Sequence, residues 1–421
     1  MTIQSKIGFG AYRISIRSNE HYLALKSAVE AGLDLIDTSA NYTNGESEKL
    51  IGKVLKEFPD KDIKIVTKGG YIQGDNIKLL EVLNSEGKAK EDLVEVNDQL
   101  YHSIHPEFLQ SQIDLSYERL EHHKIDFYLL HNPEYYFYED NASQDEFYRR
   151  IEKAFLFLEK KVESGEIENY GISSNGFVLS EDDKQHVSLK RIIEVANKIG
   201  AKRFKAIQFP ANLIEVGAFE KDSEGLSLID RAKQSGLITF SNRPLNAFKD
   251  QRLVRLASYE KLFSIPTIEE VRAQLDHCLN LMEEKFQSQY SDDEQRFKEL
   301  PLVVQLTEIF DTLPTPDAVD QVYFEHFFPL IAKVWGGEGL SAEESAPFYH
   351  LYELNQLLAR KNMGDIGKSF FTQAQNMGLI QAQGDRPLSV IAIEYYLNNG
   401  IDHVLVGMKK IDYVNQLKDF F

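Results

Sequence analysis

Asp37 and Tyr42 stand five residues apart in the stretch DTSANYTNGESEKLIG, which covers residues 37–52. Lys68 closes the short apolar run Ile63-Lys64-Ile65-Val66-Thr67, and His131 closes Ile125-Asp126-Phe127-Tyr128-Leu129-Leu130. A carboxylate, a phenol, an ammonium and an imidazole, each at or near the end of such a run, suit proton delivery to an oxygen that is gaining negative charge. Reduction of a carbonyl is the reaction that needs this. A free phenol, with a pKa of about 10, is a weak donor at neutral pH. A nearby Lys68 ammonium favours phenolate and is expected to lower the Tyr42 pKa. Asp37 would pair with Lys68 and offset the cost of a cation in a poorly solvated place. His131 could hydrogen-bond the substrate oxygen and orient it.

Positioning these four groups together requires a particular arrangement of elements. Eight short apolar runs recur along the chain: Ile7 to Gly10, Leu33 to Ile36, Ile63 to Thr67, Ile125 to Leu130, Glu168 to Ile172, Phe204 to Ile207, Leu237 to Phe240 and Val404 to Val406. Helical patterns follow most of them, such as the one near Asn19 with Leu23, Leu25, Ala28 and Val29, and the one over Glu48–Leu55. Runs buried on both faces and alternating with helices indicate a parallel sheet with helical crossovers. Eight such units predict an α/β fold, a (β/α)8 TIM barrel, whose strand ends converge on one mouth. That ring would hold Asp37, Tyr42, Lys68, His131, Ser173, Gln208, Asn242 and Gly407.

The seventh unit is interrupted. After Arg243-Pro244-Leu245, the next barrel helix is expected over Ser389–Leu397, about 140 residues later, far beyond an ordinary connection. Within the gap, Val271 to Phe286, Leu302 to Leu313, Val319 to Val334 and Glu343 to Arg360 carry apolar residues at helical spacing, which predicts a helical insertion subdomain. The expected division is a barrel over 1–248 and 384–421 and an insertion over 249–383. The insertion could serve as a lid, a protein-partner surface or a self-association contact. Its root on the loop after the seventh strand favours a lid that selects the substrate.

The opening stretch resembles the aldo-keto reductase signature DTA-x-x-Y-x-x-G-x-S-E-x-x-x-G, with the same Asp–Tyr spacing. IDFYLLHNP (125–133) resembles that family's D-x-x-x-x-H-x-P strand, and Tyr170-Gly171-Ile172-Ser173-Ser174-Asn175 its G-V-S-N segment. The resemblance covers roughly residues 5–248 and 386–418. It implies an Asp37–Tyr42–Lys68–His131 tetrad that reduces small aldehydes or ketones with NADPH, or with NADH, without metal or flavin. It also implies that Gly10, Ala11, Tyr12 and Asp37 border the nicotinamide, and that Ser173, Ser174, Asn175 and Gln208 hold its carboxamide. The family stacks an aromatic side chain two residues before the proline after the seventh strand. Here Asn242 stands there, so Phe240 or another residue supplies the stack, or none does. Arg243 could meet the pyrophosphate, an anionic substrate or a structural partner, and Leu245 follows it along the cofactor. Gly407, Met408, Lys409 and Lys410 match the segment around the adenosine phosphate. The two lysines could bind a 2′-phosphate or form a solvated turn, and Gln416 replaces an acidic residue that often meets the adenine.

Composition narrows the alternatives. A net charge of −19 repels nucleic-acid backbones and anionic membranes. Cys278 is the only cysteine, which excludes disulfides within the chain and Cys-based metal clusters. The N-terminus MTIQSKIGFG lacks the apolar core of a signal peptide, and the expected location is cytoplasmic. Gly8-Phe9-Gly10 imitates a dinucleotide fingerprint, but Arg13 occupies the third glycine position. His122-His123, and His102 with His105, lack supporting metal ligands. Two rivals remain. A catalytically weak barrel could bind nucleotide and regulate a partner. A glycosidase would need two carboxylates, and the expected ring supplies only Asp37.

Overall fold

The computed structural model describes residues 2–80, 92–249, 252–257, 264–289, 297–337, 339–381 and 386–421. Eight parallel strands close into a barrel. They are β1 (Ile7–Gly10), β2 (Leu35–Asp37), β3 (Lys64–Gly69), β7 (Ile125–His131), β8 (Ile167–Ser173), β9 (Phe204–Pro210), β10 (Ile238–Asn242) and β13 (His403–Val406). Going round the barrel, the order is β1-β13-β10-β9-β8-β7-β3-β2. Sequence neighbours are thus spatial neighbours, and β1 against β13 makes the seam, with Ile7 opposite Val404. The expected (β/α)8 barrel is what the chain forms.

The barrel helices are α1 (Asn19–Glu30), α2 (Glu46–Leu55), α3 (Pro106–Arg119), α4 (Gln144–Glu163), α5 (Leu189–Ile199), α6 (Leu228–Gln234), α12 (Leu388–Asn398) and α13 (Ile411–Leu417). Serines cap four of them: Ser18, Ser143, Ser188 and Ser227 each accept a bond from a backbone N–H in the first turn. Such a cap satisfies a donor that the helix leaves unpaired. In α1 the buried face is Ala24, Leu25, Ala28 and Val29. Leu23, expected on that face, is instead exposed.

Inside the barrel Leu35, Val66, Phe127, Leu129, Ala206, Phe240 and Leu405 form one cluster. Large residues on some strands require small ones on others. A Cβ at Gly8 would lie 2.7 Å from Leu405 Cδ2 and 2.9 Å from Leu35 Cδ2. Gly8 is therefore a packing glycine of β1, not part of a phosphate loop.

Two small sheets were not anticipated. Strands β4 (Tyr71–Gln73), β5 (Val94–Asn97) and β6 (Leu100–His102) form an antiparallel sheet in the order β4-β6-β5. Val94-Glu95-Val96 before Asn97-Asp98 was the available signal, an alternating run meeting turn residues. Strands β11 (Asn246–Lys249) and β12 (Arg252–Arg255) pair as the second sheet.

The chain divides into two compact units, Met1–Phe248 with Val390–Phe421, and Lys249–Ser389. The expected boundary at 383/384 lies outside the described residues. The second unit holds α7 (Ile268–Gln289), α8 (Pro301–Ile309), α9 (Pro316–Val322), α10 (Phe328–Val334) and α11 (Ala342–Asn376). Its own core includes Val271, Cys278, Phe310, Tyr323, Phe327 and Phe348. The expected helix over 319–334 is continuous, but it passes through a π-helical segment at Tyr323–Phe327. Pro329, just beyond it, has no N–H for the helical ladder. The last helix runs sixteen residues past Arg360, to Asn376. Within it a Cβ at Gly367 would lie 2.2 Å from the Arg255 carbonyl oxygen, so the residue that blurs the helical pattern is the one that admits β12. No described helix is long and apolar enough to cross a membrane.

Strand β8 offers a test of barrel packing. A Cβ at Gly171 would lie 2.0 Å from the Ala206 carbonyl oxygen, and backbone cannot rotate away as a side chain can. Gly171→Ala should cost at least the ~1–3 kcal/mol typical of overpacking, read as a lower midpoint in urea unfolding. A variant as stable as the parent would show that the β8–β9 pairing is looser than described.

Candidate active site

Parallel register brings the strand ends to one level. Gly10 pairs with Asp37, Asp37 with Val66, His131 with Ser173, and Ser173 with Gln208. Backbone bonds extend the ladder past the strands: Ala11 N–H donates to the Asp37 carbonyl at 2.8 Å and Ala40 N–H to that of Lys68 at 3.1 Å. Successive strand ends therefore hold one another, and the side chains they carry converge.

At the centre is a buried ion pair. Lys68 Nζ lies 2.7 Å from Asp37 Oδ1 and 2.9 Å from Oδ2, and donates to the Thr38 carbonyl at 2.7 Å. Lys68 is 0% exposed. Burial raises the Asp37 pKa and lowers that of Lys68, and the attraction between them opposes both shifts. A chain of amides steadies the carboxylate: Gln208 Nε2 donates to Asp37 Oδ1 at 2.8 Å, and Ser173 Oγ donates to Gln208 Oε1 at 2.9 Å. Asn242 Nδ2 reaches the same Gln208 oxygen at 3.4 Å.

Tyr42 Oη is 3.4 Å from Lys68 Nζ, and its ring stands 6.0 Å from that of His131. The expected lowering of the Tyr42 pKa does not hold here. Burial, then the Asp37 charge, then Tyr12 push it well above 10. The phenol is neutral, which is the form a proton donor requires. His131 is also neutral: burial, Lys68 and His102 hold its pKa well below 6.5. Its Nδ1 lies 3.0 Å from Ser39 Oγ. Tyr71 packs edge-on against the His131 ring at 4.7 Å, and Asn132 Nδ2 donates to Tyr71 Oη at 2.6 Å. His102 Nε2 lies 2.7 Å from the His131 carbonyl oxygen, and burial lowers its pKa to about 4.

The second half of the 37–52 stretch is scaffold. Thr43, Asn44 and Gly45 all have positive φ (47°, 56° and 81°). That is unusual for a β-branched residue, and Thr43 Oγ1 holds the turn by donating to the Ile14 carbonyl at 2.7 Å. Beside Gly45 an added Cβ would lie 2.6 Å from Arg119 Nε. Ser47 Oγ donates to the Ala11 carbonyl at 2.9 Å. Glu48 is buried, accepts from Thr67 Oγ1 at 2.7 Å and pairs with Arg119 at 3.2 Å. These bonds tie the Tyr42 loop to β1, β3 and α3.

The residues expected around a cofactor are brought partly together. Gly10 and Gly407 face each other across the seam, where a Cβ on Gly10 would crowd the Val406 carbonyl at 3.2–3.3 Å. Ala11 is buried, and Tyr12 is 61% exposed with its ring 5.0 Å from that of Tyr42. Ser173, Gln208 and Asn242 form the amide chain described above. Asn242 Oδ1 is buried and, among the described residues, without a hydrogen-bond partner, so a donor fits there. Ser174 Oγ and Asn175 N–H both donate to Glu134, at 2.7 and 2.8 Å. Leu245 and Gln416 are half-buried, Met408 is buried and Lys409 is exposed. Lys410 pairs with Glu20 at 3.3 Å.

One alternative is excluded. Phe240 cannot supply a stack at the mouth, because it is buried in the barrel core with its ring 5.6 Å from that of Phe127. Arg243 forms an ion pair with Glu215 at 2.8 Å, the structural partner that was one of its three expected alternatives. Sequence reasoning missed Ser39, Tyr71, His102, Asn132 and Glu134. Glu134 and Asn132 flank Pro133 in a motif already singled out. Tyr71 and His102 needed the β4–β6 pairing, which sets them opposite each other.

A closed parallel barrel with these four groups at its strand ends is the setting in which known sequences become informative. Residues 6–196 match the model of the Aldo/keto reductase family, and over that stretch, from β1 to α5, the resemblance read from the motifs is confirmed. An NADH-specific methylglyoxal reductase of Escherichia coli is 29% identical over 104 residues, 25% of this chain and 28% of that protein. A relative in Glycine max is spanned over 41% of its length. A D-threo-aldose 1-dehydrogenase of a Pseudomonas species is 24% identical over 280 residues, 62% of this chain and 78% of that protein. Among solved structures, a glycerol dehydrogenase from Gluconobacter oxydans superposes with a TM-score of 0.49 at 16% identity, covering 99% of this chain and 86% of that one.

Glu134 gives the site a pH dependence. Burial raises its pKa from 4.5 to about 7 against the bonds from Ser174 and Asn175. Between these values the folded protein holds a proton that the unfolded chain has released, so stability falls as pH rises from about 4.5 to 7. The full cost, about 3 kcal/mol, is present above that window. Glu134→Gln removes the titration. Urea unfolding at pH 5 and pH 8 should show the variant gaining on the parent at the higher pH; a constant difference would refute the assignment.

Proposed function

We propose that the protein reduces an aldehyde or ketone to an alcohol, with Tyr42 giving the proton to the carbonyl oxygen. The observation that supports this best is the convergence of Tyr42, Lys68, Asp37 and His131 at neighbouring strand ends, with the Tyr42 hydroxyl 3.4 Å from the Lys68 ammonium. A nicotinamide dinucleotide, when bound, supplies the hydride. Ser173, Gln208 and Asn242 suit its carboxamide, because the buried Asn242 oxygen needs a donor. Gly10 and Gly407 put two positions without side chains at the mouth end of the seam, and Lys409 and Lys410 suit a phosphate. As the proton leaves Tyr42, the ammonium of Lys68 stabilises the phenolate that remains. Asp37 keeps Lys68 charged in a place where burial would discharge it. His131 orients the carbonyl oxygen by a hydrogen bond.

Tyr42→Phe should leave the fold and cofactor affinity intact while lowering turnover by roughly 10²–10⁴-fold, the usual cost of losing a positioned acid. The assay is NADPH consumption with a panel of aldehydes, and near-parental turnover in the variant would remove Tyr42 from the role.

NADPH should be preferred over NADH. A charge-assisted contact from Lys409 or Lys410 to a 2′-phosphate is worth about 1.5–3 kcal/mol, which corresponds to more than about tenfold in affinity. Glu20, paired with Lys410, works against that preference. Fluorescence titration of both cofactors measures it. Equal affinities, or no change in Lys409→Ala with Lys410→Ala, would make the two lysines a solvated turn.

A further inference from the structure

Ser39 stands where the family signature has alanine, two residues after Asp37, and it is 1% exposed. Its hydroxyl oxygen meets three polar atoms: His131 Nδ1 at 3.0 Å, Asn41 Oδ1 at 2.7 Å and the Lys68 carbonyl oxygen at 3.3 Å. A hydroxyl has one proton to donate and two lone pairs with which to accept. The direction in which Ser39 spends that proton therefore decides which nitrogen of the neutral His131 ring carries hydrogen.

The arrangements are of two kinds. In one, Ser39 donates to Asn41 Oδ1 or to the Lys68 carbonyl oxygen and accepts from His131 Nδ1–H, which leaves Nε2 bare. A bare Nε2 can only accept, and it repels the lone pairs of a carbonyl oxygen. In the other, Ser39 donates to Nδ1, so Nε2 carries the proton and can donate to that oxygen. Asn41 accommodates this second arrangement by a half-turn of its amide, which presents N–H to Ser39 in place of C=O. The ring itself has little freedom, since Tyr71 and Tyr42 stand edge-on to it at 4.7 and 6.0 Å.

Resting on the carbonyl-reductase reading above, we infer that Ser39 is a positioning residue that holds His131 in the tautomer protonated at Nε2, by donating to Nδ1. Alanine at this position leaves Nδ1 buried without a donor. Asn41 is the second member of the relay and acts only through Ser39.

The test uses the intact protein labelled with ¹⁵N at histidine. Long-range proton–nitrogen spectra assign the protonated nitrogen of His131, which is identified by its loss in His131→Gln. The expected spectrum has the proton on Nε2 and Nδ1 as a hydrogen-bonded acceptor. In Ser39→Ala the Nδ1 resonance should move to that of an unbonded acceptor, and in Ser39→Thr it should return. Carbonyl turnover should fall about tenfold in Ser39→Ala with cofactor affinity unchanged, and recover in Ser39→Thr. A proton on Nδ1 in the parent, or an Nδ1 resonance unmoved by Ser39→Ala, would overturn the inference. Absence of carbonyl turnover in the parent would instead refute the reductase reading, while the spectra still decide the tautomer.

Discussion

The ion pair between Asp37 and Lys68 is the constraint on which the mouth of the barrel depends. Neither group would remain charged alone where it sits, because removing one partner of a buried pair leaves an uncompensated charge. Each therefore fixes the other, and β2 is fixed against β3 through them. The Lys68 side chain also holds the Thr38 carbonyl, so the backbone leaving β2 is aimed before it reaches Tyr42. Gln208 extends the same network to β9, and Ser173 extends it to β8. The site is a cross-brace between strands as much as a set of reacting groups.

The elements around this brace divide its tasks. Ser47 and Glu48, which look like part of a reactive signature, hold the loop. The backbone bonds of Ala11 to Asp37, Ala40 to Lys68 and Ser174 to Gln208 bring the strand ends level. Glu134, buried in the turn that follows β7, holds Ser174 and Asn175, and the β4–β6 sheet delivers Tyr71 and His102 to the flank of His131. Neutral Tyr42 and neutral His131 follow from burial, and charged Asp37 and Lys68 follow from pairing, so one pocket keeps two kinds of protonation state side by side.

Much of this was legible in the sequence, for identifiable reasons. Strands buried on both faces make continuous apolar runs, and each run stops where the chain must turn; Asp37, Lys68 and His131 could be placed from that alone. Tyr42 followed from its spacing to Asp37. Contacts formed only by tertiary pairing could not be read. Tyr71 and His102 are thirty-one residues apart and meet through a strand register. The Tyr42 pKa goes the opposite way to expectation because burial dominates it and the Asp37 charge adds to the same direction. Phe240 was offered for the mouth, but alternation along β10 turns it into the core. Helix α11 outruns its expected end at Arg360 because Gly364 and Gly367 dilute its apolar pattern.

The seam of the barrel has a consequence for how the chain is made. Strand β10 ends at Asn242, and β13, which must lie between β10 and β1, begins at His403. During synthesis the first seven barrel strands emerge as an open sheet with two bare edges, at β1 and β10. They stay bare while about 160 further residues are added, on the order of ten seconds or more at ~5–20 residues per second. Bare edges invite pairing with other chains. The nascent protein thus carries a timed hazard that its finished form conceals, and the sooner β13 leaves the ribosome the shorter that hazard lasts.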